Sequence, residues 1–302
     1  MKPERSYLVC ATPRSGSTLV CKALRETGVA GRPEEYFEAL RSTGRPRSPE
    51  QYFAGVDDRS IFDELGEGQA SAPPPAWSRT AYDRYLEWAM EAGTTDNGVF
   101  GAKLMWQYLG DFVGLLRNIP EYSELPLAEL LPAAFPNLTF VRVVRANKIR
   151  QAVSLWKAVQ TASWSDSGDS PSPDEGPAYR AFLQSHKPQL RFHYRAISHL
   201  LEQTLAAEAS WDAFFEHTHV KPVLVLYENF AADYEQSTLN ILERLELQPP
   251  ADFSPQPRMR SQTDNINDDW AKRFSELRLG TEFDLVPAAT AEQPAVPDRA
   301  GS

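Results

Sequence analysis

Tyr7-Leu8-Val9-Cys10-Ala11-Thr12-Pro13-Arg14-Ser15-Gly16-Ser17-Thr18 is the stretch on which the fold of this chain turns. Its first five residues form an unbroken apolar run, the mark of a buried strand. Beyond Thr18, Leu19, Val20, Ala23 and Leu24 recur at the spacing of one helix face, and Gly28 supplies the stop. Strand, small-residue loop and helix together make an anion cradle: the loop N–H groups converge on the anion, and the helix N-terminus adds partial positive charge. Gly16 lets backbone approach closely, Ser17 and Thr18 add hydroxyl donors, and Arg14 adds a full charge on a planar fork of donors. The expected ligand carries a phosphate or a sulfate.

The loop is not that of a nucleoside triphosphatase, which needs Gly-x-x-x-x-Gly-Lys-Ser/Thr. Such an enzyme also needs a strand-end Asp for magnesium. Here the strongest later strand, Leu138–Val144, runs into Arg145, which suits a second phosphate rather than a metal. Asn147 then caps a helix from Lys148 to about Thr161, with Ile149, Val153, Trp156 and Val159 on one face. Ser154 in its second turn is within reach of Arg145, so the pair can grip one phosphate from two sides. Taken singly, each motif is equally an ordinary turn or an exposed arginine beside an incidental serine. Two phosphate grips on separate strand–helix units are much less expected by chance.

Working outward, strands are predicted at 6–11, 99–105, 138–144 and 222–227. Helices are predicted at 17–27, 33–40, 78–92, 109–118, 148–161, 178–208, 211–216 and 230–246. Interleaved strands and helices imply an α/β fold, a P-loop-like, mostly parallel sheet flanked by helices. Sites in such sheets lie beyond the carboxyl ends of the strands, where both phosphate motifs fall. Residues 1–285 are read as one domain and 286–302, rich in Ala and Pro, as a disordered tail. Ser165–Pro177, rich in Ser, Pro, Asp and Gly, reads as a lid or a plain loop.

The 302 residues suffice for one sizeable core, and 42% hydrophobic content suits a globular protein. A net charge of −10 argues against a general nucleic-acid surface, while leaving room for a locally basic pocket. No apolar run approaches the roughly 20 residues of a spanning helix, and the N-terminus lacks a signal-peptide core. Cys10 and Cys21 fall on the first strand and first helix and read as reduced, buried residues, which agrees with a cytoplasmic location. His217 and His219, at i, i+2, do not share a helix face, so no metal site is expected. Lys103 and Trp106 lie on a predicted strand. They read either as a solvated lysine with a core tryptophan or as a lysine and an aromatic wall beside an acceptor. Tyr227-Glu228 ends the fourth strand, where the carboxylate either supports the site or stays at the surface.

The loop Pro13–Thr18 resembles the 5′-phosphosulfate loop of sulfotransferases, and Val143-Val144-Arg145 through Ala152-Val153-Ser154-Leu155-Trp156 resembles their 3′-phosphate motif. More closely, the chain is similar to the bacterial trehalose 2-sulfotransferase family. The matching stretches are Thr27-Gly28-Val29-Ala30-Gly31 with Pro33, Glu35 and Phe37; Gly101 with Lys103-Leu104-Met105-Trp106; Gln151-Ala152-Val153-Ser154 with Trp156 and Ala158-Val159-Gln160-Thr161; and Gln262, Asp264 and Trp270. The resemblance implies the sulfotransferase fold and metal-free sulfuryl transfer from 3′-phosphoadenylyl sulfate to a hydroxyl, leaving adenosine 3′,5′-bisphosphate. Arg14 with Ser15, Gly16, Ser17 and Thr18 would bind the 5′-phosphosulfate and stabilise charge on the leaving oxygen. Arg145 and Ser154 would hold the 3′-phosphate, and Arg260 stands near the segment where the family places a further donor-side arginine. Glu35 aligns with the family's general base. Composition alone does not separate it from Glu34 and Glu38 on a segment that reads as a helix start.

On the acceptor side the resemblance implies a pocket of Pro13, Arg32, Glu35, Tyr52, Lys103 and Trp106. Pro13, Arg32 and Tyr52 replace the family's Gln, Glu and Trp. The expected acceptor is therefore a carbohydrate, glycolipid or natural-product hydroxyl, with trehalose a poor one. The resemblance also admits a homodimer. Two other readings stay open from sequence: a non-catalytic nucleotide-binding protein of the same fold, and a phosphotransferase with a variant loop.

Overall fold

A computed structural model of the chain describes residues 3–38, 49–63, 79–161, 190–251, 253 and 265–284. Within them β1 (Arg5–Ala11), β2 (Val99–Met105), β3 (Leu138–Val144) and β4 (Val223–Leu226) form one all-parallel sheet in the order β2-β1-β3-β4. All four stand where the sequence predicts them, to within a residue. β1 and β2 are buried almost throughout, because helices cover both faces, and this is why they read as continuous apolar runs rather than alternating ones. The main core joins the sheet to α1 (Ser17–Glu26), α3 (Arg79–Gly93), α4 (Trp106–Leu116), α5 (Leu127–Ala134) and α9 (Tyr234–Arg244). A second cluster packs α2 (Arg59–Asp63), α6 (Lys148–Thr161), α7 (Tyr194–Thr218) and α10 (Asn265–Asp284) around Trp156, with Phe53 edge-on at 5.8 Å. The short α8 (Tyr227–Ala232) follows β4 directly.

β1 and β3 are neighbours, but the chain leaves β1 toward β2 and leaves β3 toward β4. The connections diverge and open a crevice at the carboxyl ends of β1 and β3, the usual ligand position in such sheets. The loop 13–18 and the turn at Arg145 both lie there.

Four element predictions are corrected. Residues 33–38 are not helical: Pro33 and Glu34 run extended along the free edge of β2, where Glu34 bridges Ala102 and Lys103 N–H donates to Glu34 C=O at 2.8 Å. An open strand edge offers backbone hydrogen bonds that outweigh a weak helix-start signal. The predicted helices 178–208 and 211–216 become one helix, α7, across the described part of that range. Ser210 does not break it, because its hydroxyl bonds back to Ala206 C=O at 2.8 Å. The predicted 230–246 helix divides at Asp233, whose carboxylate caps α9 by accepting from Gln236 N–H. Trp106 is the first residue of α4 rather than part of a strand. The 165–177 segment and the 286–302 tail lie outside the described residues.

Cys10 and Cys21 are free and buried, as read from sequence. Burial raises both thiols, that of Cys21 to about 12. Among the described residues no helix is long and apolar enough to cross a membrane.

Candidate active site

The loop after β1 takes two left-handed steps, at Arg14 (φ 61°) and Gly16 (φ 93°). Such steps turn successive N–H groups toward one concave side. Gly16 is required twice over: its φ is strained for other residues, and a Cβ there would lie 2.1 Å from Cδ2 of Tyr227. The loop therefore sits flush against the residue that follows β4. The Ser15 hydroxyl is fully buried and finds no hydrogen-bond partner among the described residues.

The second motif meets the first. Arg14 Nε donates to Ser154 Oγ at 3.0 Å, and Arg145 Nη1 donates to Arg14 C=O at 3.3 Å. The sequence reading sets Ser154 and Arg145 on two sides of one phosphate; the structure adds that Ser154 is bonded to Arg14. Because Oγ accepts from Arg14, its own proton remains available to an anion in the crevice. The Arg145 guanidinium lies over the Tyr227 ring at 5.0 Å and makes no ion pair among the described residues. Burial, then the neighbouring Arg14 and Arg150, lower its pKa against the opposing pull of Tyr227 and Glu228. An arginine so placed gains from an incoming anion.

Glu228 takes the supporting role. Its carboxylate accepts from Ala146 N–H at 3.0 Å and Asn147 N–H at 3.2 Å, which pins the turn after Arg145. Partial burial would raise its pKa, but those backbone donors outweigh it and hold the group low. Asn147 caps α6 as expected, its Oδ1 accepting from Arg150 N–H at 2.9 Å.

Glu35 stands on the β2 side of the same cradle. Its Oε1 is 2.7 Å from Lys103 Nζ, and its Oε2 accepts from the Tyr108 hydroxyl at 3.3 Å. Lys103 Nζ also donates to Thr18 Oγ1 at 3.2 Å, so one buried ammonium joins the carboxylate to the first turn of α1. Burial would lower the Lys103 pKa; Glu35, with Cys21 and Glu34 beyond it, outweighs this and raises it. The stretch 27–31 delivers the segment to this position. Thr27 Oγ1 accepts from the N–H groups of Val29 and Ala30. Gly31 (φ 66°) lies so close to β2 that a Cβ there would be 2.6 Å from Gly101 N.

The remaining predicted residues are placed as follows. Glu34 forms an ion pair with Arg25, and Arg32 Nη1 donates to Thr94 C=O at 2.8 Å, so Arg32 turns toward the end of α3. In an extended segment neighbouring side chains leave by opposite faces, which sends Glu34 and Glu35 to different partners. Pro13 C=O accepts from Gln151 Nε2 at 2.7 Å. Tyr52 is buried in the second cluster, and Trp106 is half-buried, edge-on to Trp211 at 5.2 Å. Arg260 lies outside the described residues. Sequence reading missed Tyr108 and a buried polar group behind the loop formed by Arg142, Glu208 and Lys148. One signal for the latter was legible: Arg142 is a charge inside the otherwise apolar run 138–144.

The chain matches known proteins along most of its length. The Stf0 sulphotransferase family model matches residues 6–276. Trehalose 2-sulfotransferase of Mycolicibacterium smegmatis is 32% identical over 273 residues, 89% of this chain and 94% of that protein. The Mycobacterium tuberculosis enzyme of the same name is 33% identical over 275 residues, again 89% and 94%. Among solved structures, a sulfotransferase from Alicyclobacillus acidocaldarius superposes with a TM-score of 0.37 at 14% identity, covering 94% of this chain and 96% of that one. The sulfotransferase domain of the Synechococcus PCC 7002 olefin synthase gives 0.38 at 12%, covering 92% and 95%. The family assignment rests on the sequence matches.

Proposed function

Because the chain belongs to the Stf0 sulphotransferase family, we propose that it moves a sulfuryl group from 3′-phosphoadenylyl sulfate to a hydroxyl of a carbohydrate, glycolipid or natural-product acceptor. The observation that carries this reading is the meeting of Arg14, Ser154 and Arg145 in the crevice between β1 and β3. The residues fit a polyanionic nucleotide: the arginines Arg14 and Arg145 belong to one loop junction, and the Ser15 hydroxyl is buried without a partner among the described residues. The donor would supply an activated sulfate ester. Arg14 and the loop N–H groups would bind its phosphosulfate and stabilise charge on the leaving oxygen. Arg145, with the Ser154 proton, would hold the 3′-phosphate and so fix the donor in line. Glu35 would take the acceptor's hydroxyl proton while Lys103 and Tyr108 hold its two oxygens in place.

Calorimetry tests the donor assignment. Adenosine 3′,5′-bisphosphate is expected to bind about ten- to a hundredfold more tightly than AMP, the value of one charged hydrogen-bonded partner. Equal affinities would remove the 3′-phosphate assignment. Incubation with labelled donors separates the competing readings: metal-free sulfate transfer supports this one, magnesium-dependent phosphate transfer a phosphotransferase, and tight binding without turnover a non-catalytic binder.

The acceptor we propose is not trehalose, the sugar named for both relatives. Pro13 offers no polar side-chain group where the family pattern has Gln, Tyr52 stands in place of Trp, and Arg32 is engaged with Thr94 C=O. A pocket built on hydrogen bonds discriminates strongly when its polar partners change. Wild type and Arg32→Glu are compared with trehalose. Efficient sulfation by the wild type refutes the altered-acceptor reading, and activity gained only in the variant supports it.

A further inference from the structure

Behind the phosphate loop lies a buried polar strut that the chemistry above does not use. Glu208 of α7 is 8% exposed and Arg142 of β3 is 2% exposed. Arg142 Nη2 lies 2.6 Å from Glu208 Oε2, and Lys148 Nζ approaches the same oxygen at 3.2 Å. The other carboxylate oxygen, Oε1, accepts from Thr12 Oγ1 at 2.5 Å. Thr12 in turn accepts from Gln151 Nε2 at 2.9 Å, and the second amide proton of Gln151 goes to Pro13 C=O at 2.7 Å. Trp211 Nε1, one turn along α7 from Glu208, donates to Ala11 C=O at 3.0 Å. Residues 11, 12 and 13 are thus each tied to α6 or α7 immediately before Arg14.

We infer that Glu208 is a positioning residue for the phosphate loop, acting through Thr12 and Gln151. This rests on the anion-binding reading of that loop. Buried charges are poor investments in stability, since apolar residues of the same volume serve as well or better. The strut does not even satisfy itself: Arg142 Nε and Gln151 Oε1 lack hydrogen-bond partners among the described residues. What it provides is direction. A threonine hydroxyl has one proton, and here Glu208 takes it, so its lone pairs are turned to Gln151. That fixes both Thr12 and the Pro13 carbonyl. Two cations against one carboxylate also leave a net positive charge beneath the anion site. A loop held this way is pre-formed and need not be ordered when the anion arrives.

The test uses the full chain. Thr12→Val keeps the shape of the side chain and cuts the link to Glu208 and Gln151, while leaving the Arg142–Glu208–Lys148 group intact. Thr12→Ser restores the hydroxyl. Hydrogen exchange over residues 12–17 is measured without ligand, and adenosine 3′,5′-bisphosphate affinity is measured by calorimetry well below each variant's Tm. Thr12→Val is expected to exchange faster in this loop alone and to bind about tenfold more weakly, with Thr12→Ser close to wild type. Glu208→Gln, if it folds, should behave as Thr12→Val does. Unchanged loop exchange in Thr12→Val overturns the proposal, as does a lowered Tm with unchanged affinity. If the wild type does not bind the nucleotide, the donor assignment fails, and the exchange data still decide whether the strut holds the loop.

Discussion

The phosphate loop and the Glu35 segment meet at Lys103, but they are held by different means. Residues 12–18 are fixed from behind by side chains of α6 and α7 and from in front by Tyr227, with no room for a Cβ at Gly16. Residues 31–38 lie along the open edge of β2, where Arg32 N–H donates to Gly93 C=O and Lys103 N–H to Glu34 C=O, with Glu35 held by the Lys103 ammonium and the Tyr108 hydroxyl. The loop is tied by the side chains of Thr12, Arg14 and Thr18 and by the Pro13 carbonyl, and has room only for glycine at position 16. The edge segment is specified mainly by backbone, so side chains such as Arg32 can change while Glu35 stays in place.

The largest expected effect falls on the edge segment, at Glu35. Glu35→Gln is nearly isosteric but cannot accept a proton at neutral pH, and should lower turnover by ~10²–10⁴-fold with nucleotide affinity retained. Glu34→Gln, which disturbs the Arg25 pair, should leave turnover nearly unchanged. Steady-state kinetics on both variants decide it; greater damage from the Glu34 change would move the base by one residue.

A smaller effect sharpens the contrast on the loop side. Gly16→Ala and Gly28→Ala both place a Cβ at positive φ, at 93° and 71°, and each incurs a strain of ~1–2 kcal/mol. Only Gly16 also drives its Cβ into Tyr227; at Gly28 nothing lies within 4 Å. Gly16→Ala should therefore weaken nucleotide binding by about tenfold or more, while Gly28→Ala lowers Tm and leaves affinity intact. Parallel loss of affinity in both would show that general strain, not the flush loop, sets binding.

The smallest effect concerns Glu228, whose pKa is held below the ordinary carboxylate range by Ala146 and Asn147 N–H groups. A depressed carboxylate contributes stability that is present above its unfolded pKa and lost as pH falls through its folded value. Wild type should exceed Glu228→Gln in Tm by ~2–4 °C at neutral pH, with the gap closing in acid below that range. A gap that persists in acid would mean that the carboxylate charge is not what pins the turn.

Much of this protein is legible in its amino-acid sequence alone. Apolar runs mark the four strands, carrying Lys103 in β2 and Arg142 in β3, and burial of β1 and β2 on both faces is what asks for them. Pro13–Thr18, Arg145 and Ser154 stand out because anion recognition needs small residues, hydroxyls and arginines at strand ends. The site residues whose meaning stays hidden are those defined by a partner far along the chain. Glu35 resembles Glu34 and Glu38 until the edge of β2 draws the segment out of a helix and gives Glu35, not Glu34, to Lys103. Glu208 reads as one more acidic residue on a helix until α7 carries it 196 residues back to Thr12. Local pattern determines which elements form, because it depends on neighbours within a few residues. Which carboxylate meets a surface arginine and which a buried lysine depends on contacts across the fold, and only the tertiary structure decided that.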